Sequence, residues 1–180
     1  MQINKTTIEV VRGSVIDQDT EAIVNAANTS MRGGSGVDGA IHRAAGRGLM
    51  EELIRIAPHG AKTGTAVITT GHNLKQSHII HTPGPVWNGG KTGEKVLLAA
   101  CYRSCLELGE KSGVSSIAFC SISTGVYRFP LDLAAPIAVR TVMEYLEAHS
   151  DTSLNRIVFA MFQDAEYQAF LSALTAEGSQ

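Results

Sequence analysis

Three segments of the chain place glycines and small polar residues where a strand is expected to end. They are residues 12–15 (RGSV), 25–40 (NAANTSMRGGSGVDGA) and 121–127 (SISTGVY). Glycine lets backbone N–H groups approach a ligand closely, and the start of a following helix adds a partial positive charge. Two such loops facing each other would hold a diphosphate without lysine or arginine. Ordinary strand-to-helix turns have the same composition, so spacing alone does not decide between the two interpretations.

The middle segment also carries two amides and a carboxylate. Asn25 and Asn28 follow a predicted strand, where asparagine often only caps a turn. Asp38 stands near the start of a predicted helix, where a carboxylate stabilises the helix dipole by about 0.3–1 kcal/mol. Catalysis and capping are therefore both open for Asp38. His42, four residues later, lies on the same helix face and either contacts the site or packs behind it. We expect His81, at a strand end, to hold a loop.

The composition argues against several classes of protein. The chain has 180 residues, with 15 Lys+Arg against 17 Asp+Glu and a net charge of -2, which argues against a surface that binds duplex nucleic acid but leaves a local basic patch open. No apolar run of about 18 residues predicts a membrane span. The N-terminal residues lack a secretory pattern, so we expect a cytoplasmic protein. We expect Cys101, Cys105 and Cys120 to be reduced and mostly buried, because three cysteines cannot all pair and the protein is expected to be cytoplasmic. Their spacing does not match a zinc site.

Strands alternate with helices along the whole chain. The predicted strands are residues 6–12, 21–26, 65–70, 78–82, 115–122 and 156–162, and the predicted helices are residues 37–45, 48–57, 94–111, 130–149 and 165–174. Several strands are apolar almost throughout, as in sheets covered on both faces. We therefore predict a single domain, residues 1–180, that is a three-layer α/β/α sandwich around a mixed, mostly parallel sheet of about six strands. Ligands of such folds bind beyond the carboxyl ends of the strands.

Three motifs, in this order, resemble those of the macro domain family. They are IVNAAN…GGSGVDGAIHRAAG, HIIHTPGPVW and SISTGVYRFP, and the resemblance covers essentially the whole chain. It is closest to the bacterial branch related to the MacroD hydrolases. That resemblance implies a protein that binds ADP-ribose, releases it from acidic side chains of ADP-ribosylated proteins and deacetylates O-acetyl-ADP-ribose. It implies no cofactor and no metal, and we expect a monomer. A non-catalytic reader of ADP-ribosylated proteins is the alternative.

The resemblance also assigns roles to matching positions. Asn28 matches the amide that holds the distal ribose, Asp38 matches the catalytic carboxylate, and Phe162 matches the aromatic residue that packs on adenine. The other expected substrate-binding residues are Ser14, Val15, Gly33, Gly34, Gly36 and Val37 on the first side, and Ser123, Thr124, Gly125, Val126 and Tyr127 in the second phosphate loop.

The chain departs from the family pattern at four positions. Ser14 stands where the family usually has an aspartate that accepts a hydrogen bond from the adenine amino group. A neutral hydrogen bond is about half as strong as a charge-assisted one, so weaker adenine recognition is expected. Ser35 interrupts the first glycine run, Arg128 replaces a common glycine, and Pro83 replaces a small aliphatic residue. Arg128 either reaches the phosphates or is a solvated surface residue.

Overall fold

The computed structural model describes residues 1–180, and it contains seven strands and five α-helices. The strands are β1 (Gln2–Ile3), β2 (Thr6–Arg12), β3 (Ala22–Ala27), β4 (Val67–Thr70), β5 (His78–Pro83), β6 (Ser116–Phe119) and β7 (Arg156–Met161). The helices are α1 (Gly36–Ala45), α2 (Arg47–Ile56), α3 (Glu94–Lys111), α4 (Leu131–Ala148) and α5 (Asp164–Gly178), and a short 3₁₀ helix spans Val15–Asp17.

The strands form one mixed sheet in the order β1-β2-β7-β6-β3-β5-β4. Every pairing from β2 to β5 is parallel, whereas β1 and β4 pair antiparallel at the two edges. The prediction of a mixed, mostly parallel sheet is therefore confirmed. The predicted number of strands was one too low, because β1 has only two residues and is too short to show a hydrophobic period.

Helices cover both faces of the sheet. Helices α1 and α2 contact each other and reach β3 and β4, while α3, α4 and α5 pack side by side and reach β5, β2 and β7. The middle strands are buried on both faces, as Ile23 and Val24 of β3 and Ile157 and Val158 of β7 show. Such strands are typical of a sheet between two helical layers, and the three-layer sandwich is confirmed.

Loops replace some of the predicted strand residues near the carboxyl edge. The predicted strand 115–122 ends at Phe119 in β6, because the chain turns at once into the second loop. In that loop Ser123 has a φ of 68°, a left-handed conformation that no strand contains. Helix α2 ends at Ile56, one residue before the predicted helix end, and Ile56 is 38% exposed.

All three cysteines are free and buried, as predicted. Burial raises the pKa of the Cys105 thiol well above its usual value and the pKa of the Cys120 thiol to about 12. These thiols are therefore protonated and weak nucleophiles at neutral pH.

None of the helices combines the length and the apolar character that crossing a membrane requires.

Candidate functional site

A cavity of about 640 Å³ lies at the carboxyl ends of β2, β3, β6 and β7. Its volume falls within the range of roughly 300–1,000 Å³ that is usual for small-molecule sites. The cavity is lined by nearly all of the predicted site residues, namely Ser14, Val15, Asn28, Gly34, Gly36, Val37, Asp38, Ser123, Thr124, Gly125, Val126, Tyr127 and Phe162. The structure thus brings together residues from four separate parts of the chain.

Gly33 is the predicted site residue that does not line the cavity. Its carbonyl oxygen instead accepts a hydrogen bond from Asn28 Nδ2 at 2.8 Å, and Ser30 Oγ donates to Asn28 Oδ1. The Asn28 side chain therefore closes the first loop as well as facing the cavity. Gly33 and Gly36 have φ angles of 85° and 60°, so both positions of this loop favour glycine.

Asp38 lies in the first turn of α1 and is 4% exposed. Its Oδ1 accepts a hydrogen bond from Asn25 Nδ2 at 2.8 Å and lies 3.3 Å from His42 Nε2. A Cβ atom on Gly34 would stand 3.1 Å from Asp38 Oδ2 and 3.4 Å from Asn28 Nδ2. Asp38 and Asn28 therefore both lie beside the same glycine, and the structure brings the two predicted catalytic residues together at the cavity wall.

The two histidines occupy different positions. His42 does not line the cavity but contacts Asp38 from behind, on the next turn of α1. His81 was expected to hold a loop, and this expectation is wrong. It lies within β5, fully buried, with its ring nitrogens facing Asn25 and Thr69. Burial lowers the pKa of His81 to about 3, so the ring is neutral at physiological pH.

The second loop turns tightly around the other side of the cavity. The Arg128 N–H donates to the Gly125 carbonyl at 2.9 Å, and the Phe129 N–H donates to the Ser123 carbonyl at 3.0 Å. The Ser123 hydroxyl is buried without a hydrogen-bond partner. A Cβ atom on Gly84 would stand 2.2 Å from that hydroxyl, so only glycine fits beside this loop. Arg128 itself is exposed and does not line the cavity, which agrees with a surface role.

The segment behind the second loop is fixed by Glu94. This carboxylate is 1% exposed and accepts hydrogen bonds from the N–H groups of Asn88, Gly90 and Thr92 and from the Thr92 hydroxyl, at 2.6–2.8 Å. The bond from the Thr92 hydroxyl contributes most to lowering the pKa of Glu94 to about 2. In the same segment the Trp87 N–H donates to the Tyr127 carbonyl at 2.9 Å. Glu94 therefore supports the second loop from outside the cavity.

Comparison with known proteins gives the family. The model of the macro domain family matches residues 24–138. The chain belongs to the macro domain family. Among its relatives, a macro domain-containing protein of Caldanaerobacter subterraneus is 47% identical over 171 residues, which are 94% of this chain and 96% of the relative. Another, from Ralstonia nicotianae, is 49% identical over 174 residues, which are 97% and 98% of the two chains.

Solved macro domains share the whole fold. The Oceanobacillus iheyensis macrodomain with ADP is 39% identical and superposes with a TM-score of 0.92 over 99% of this chain and 95% of that one. The Trypanosoma brucei macrodomain in complex with ADP-ribose is 42% identical, with a TM-score of 0.86 over 93% of this chain and 68% of that one. The first of these structures contains ADP and the second contains ADP-ribose.

The macro domain cavity also contains polar residues that sequence reasoning missed. Gln163 and Glu166 line it from the start of α5, and Arg43 lines it from α1. Gln163 and Glu166 form a capping box, in which the Gln163 N–H donates to Glu166 Oε1 at 2.9 Å. The spacing of these two residues directly after a predicted strand was the available signal. Arg43 lies one turn after Gly39 on α1. A Cβ atom on Gly39 would stand 3.1 Å from Arg43 Nη1.

The end of the cavity near Ser14 differs chemically from the end near Asp38. Ser14 Oγ accepts a hydrogen bond from the Ile16 N–H at 3.4 Å, which leaves its hydroxyl hydrogen free. Phe162 is 71% exposed although it is a large apolar residue, and it lines the cavity together with Gln163 and Glu166. This end therefore offers an aromatic face with hydrogen-bonding groups around it.

Proposed function

We propose that this macro domain binds ADP-ribose in the cavity and hydrolyses ester-linked ADP-ribose. Its substrates would be proteins that carry mono-ADP-ribose on glutamate or aspartate, and O-acetyl-ADP-ribose. The observation that carries the proposal is that Asp38 and Asn28 both lie beside Gly34, at the wall of a cavity of nucleotide size. Solved relatives with ADP and with ADP-ribose support the choice of ligand.

The two loops account for binding of the diphosphate. Residues 34–38 and 123–127 both line the cavity, and the first of these two segments leads into helix α1. Backbone N–H groups and the positive end of a helix dipole favour an anion there without a paired lysine or arginine. In this arrangement Phe162 packs on the adenine and Asn28 holds the distal ribose. The exposed ring of Phe162 supports this role, because ligand stacking would bury it.

Asp38 would orient the water that attacks the ester. Its Oδ1 accepts a hydrogen bond from Asn25 and lies 3.3 Å from His42 Nε2, while no protein donor occupies Oδ2. A water held by Oδ2 adds to the ester, the ester C–O bond breaks, and ADP-ribose leaves with a free hydroxyl while the other product is a carboxylic acid. Positioning and partial deprotonation of a water by such a group contribute roughly 10²–10⁴ in rate.

A non-catalytic reader is the second candidate. It is favoured by the two contacts to Asp38 Oδ1, because a carboxylate that only supports the start of α1 would have the same partners. The two functions share the ligand and differ only in turnover.

Titration calorimetry and a release assay test the proposal together. ADP-ribose should bind, whereas AMP should bind more weakly because it lacks the second phosphate and the distal ribose. GDP-ribose tests the base end. A glutamate-modified protein should release ADP-ribose when mixed with excess enzyme. Absence of ADP-ribose binding refutes the proposed site, and binding without release assigns the chain to the readers.

A further inference from the structure

A row of buried polar side chains crosses three strands beneath helix α1. Asn25 on β3 and His81 on β5 are partners in the parallel register, and Thr69 on the edge strand β4 lies beyond His81. None of the three is more than 2% exposed. Asn25 Nδ2 is 2.8 Å from Asp38 Oδ1 and 3.1 Å from His81 Nδ1, and Thr69 Oγ1 is 3.0 Å from His81 Nε2. The row connects the edge of the sheet to the carboxylate in the cavity wall.

The direction of each hydrogen bond in this row follows from Asp38. A carboxylate only accepts, so the amide of Asn25 must turn its nitrogen towards it. The second hydrogen on that nitrogen then points to His81 Nδ1, which must be an acceptor. The neutral ring consequently carries its proton on Nε2 and donates to Thr69 Oγ1, which donates in turn to the Thr70 carbonyl at 3.0 Å.

The amide of Asn25 has no anchor apart from these two acceptors. Its Oδ1 is buried and has no hydrogen-bond partner. If His81 offered no acceptor, one N–H of the amide would be buried without a partner, and only the bond to Asp38 would still fix the angle of the amide. A change in that angle shifts the donor relative to Asp38 Oδ1, so the carboxylate would be held less firmly from the sheet side.

We propose that His81 is a positioning residue for Asp38. It fixes the amide of Asn25, and Asn25 holds the carboxylate so that its free oxygen faces the cavity. His42 contacts the same Oδ1 at 3.3 Å from within α1, so the carboxylate is held from the sheet and from the helix. This role rests on the hydrolase function proposed above, in which Asp38 orients the attacking water.

Two substitutions at His81 separate positioning from simple packing. His81→Asn can place a side-chain oxygen near the former Nδ1 and keeps the acceptor for Asn25. His81→Gln can place its amide nitrogen near the former Nε2 and keeps only the donor towards Thr69. Each variant leaves one partner of the histidine unsatisfied, so the two should lose similar amounts of thermal stability.

The kinetic expectation differs between the two variants. In single-turnover release at saturating enzyme, His81→Gln should lower the rate about tenfold, which corresponds to ~1.4 kcal/mol. His81→Asn should stay within about threefold of the wild type, and ADP-ribose affinity should change less than about threefold in both. Equal rate losses that follow the loss of Tm would overturn the proposal, because packing alone explains them. A wild-type rate in His81→Gln would overturn it as well.

Nuclear magnetic resonance of the ring nitrogens tests the row without turnover. In the unliganded wild-type protein, the ¹⁵N shifts of His81 should show a protonated Nε2 and an unprotonated Nδ1. A proton on Nδ1 would overturn the proposal. If the wild-type protein releases no ADP-ribose, the hydrolase function fails, while this measurement still decides whether His81 accepts from Asn25.

If His81→Gln does not fold, Thr69→Val is the substitute variant. It removes the acceptor of the His81 Nε2 proton and should lower the rate of ADP-ribose release at unchanged ADP-ribose affinity. An unchanged rate contradicts the proposal.

Discussion

Asp38→Ala removes a carboxylate that the protein contacts from two sides. Its Oδ1 accepts from Asn25 at 2.8 Å and lies 3.3 Å from His42. The substitution leaves the Asn25 N–H buried without an acceptor, which costs about 1–3 kcal/mol, and removes a first-turn carboxylate worth about 0.3–1 kcal/mol. We therefore expect the free energy of unfolding to fall by roughly 1–4 kcal/mol. Asp38→Asn keeps an acceptor for Asn25 and should lose about 1 kcal/mol or less.

The effect on turnover should be much larger than the effect on binding. A group that orients the attacking water acts mainly in the transition state, so its loss lowers the rate while the ground-state complex persists. ADP-ribose affinity should stay within about tenfold of the wild type, or ~1.4 kcal/mol, in both Asp38 variants. Release of ADP-ribose from a glutamate-modified protein should fall by at least about 10².

The assay is single-turnover release at saturating enzyme, so that weak binding cannot be mistaken for weak chemistry. Asp132→Asn is the matched control, because Asp132 is also a first-turn carboxylate but is exposed and does not line the cavity. That variant should release ADP-ribose at the wild-type rate. Release at the wild-type rate by Asp38→Ala would refute the role given to this residue. No release by the wild-type protein would favour the reader function instead.

Three further outcomes are expected. Gly125→Val should abolish ADP-ribose binding in calorimetry while the protein stays folded, because Gly125 lines the cavity and a Cβ atom there meets no protein atom within 4 Å. Unchanged affinity contradicts the proposed phosphate site. Ser14→Asp should tighten ADP-ribose binding about fivefold by supplying a charged acceptor, without raising affinity for GDP-ribose, and looser binding would show that the base is recognised by another route. Glu94→Gln should lower the Tm at pH 7, and this decrease in Tm should be smaller at low pH. The folded pKa of Glu94, about 2, lies below the ordinary 4.5, so its stabilisation is present above about pH 4.5 and is lost as the pH falls towards 2; a Tm difference that does not change with pH would contradict this account.

The sequence alone predicted the sandwich because the apolar strands and the helical periods are long and regular. It also located the residues of both loops, since glycines and amides after a strand mark the carboxyl edge of a parallel sheet. It did not provide the order β2-β7-β6-β3, and that order is what brings residues 14, 28, 123 and 162 to one cavity. The roles of Asn28 and Asp38 came from the family resemblance and stay predictions, as do the single-domain organisation, the monomeric state and the cytoplasmic location.

The row behind Asp38 was out of reach of sequence reasoning for a physical reason. His81 and Asn25 face each other only because β3 and β5 pair in parallel with Asn25 opposite His81. A shift of one residue would turn His81 to the other face of the sheet. Neither strand indicates its register, since apolar residues occupy both faces of each. Glu94 was missed because its partners are backbone N–H groups, whose positions depend on the conformation of the turn at residues 88–92.

The pairing of β2 with β7 has a consequence for synthesis of the protein on the ribosome. Arg12 Nε donates to the Phe162 carbonyl at 3.1 Å, and the Gly13 N–H donates to the Met161 carbonyl at 2.9 Å, across 150 residues of chain in the first case. Ser14 leaves the ribosome well before Phe162 and the start of α5, which follow it along the chain. Contacts between such distant residues form late and slow the folding of a domain. The wall at the Ser14 end is therefore incomplete in the nascent chain, and the cavity closes only after β7 has left the exit tunnel.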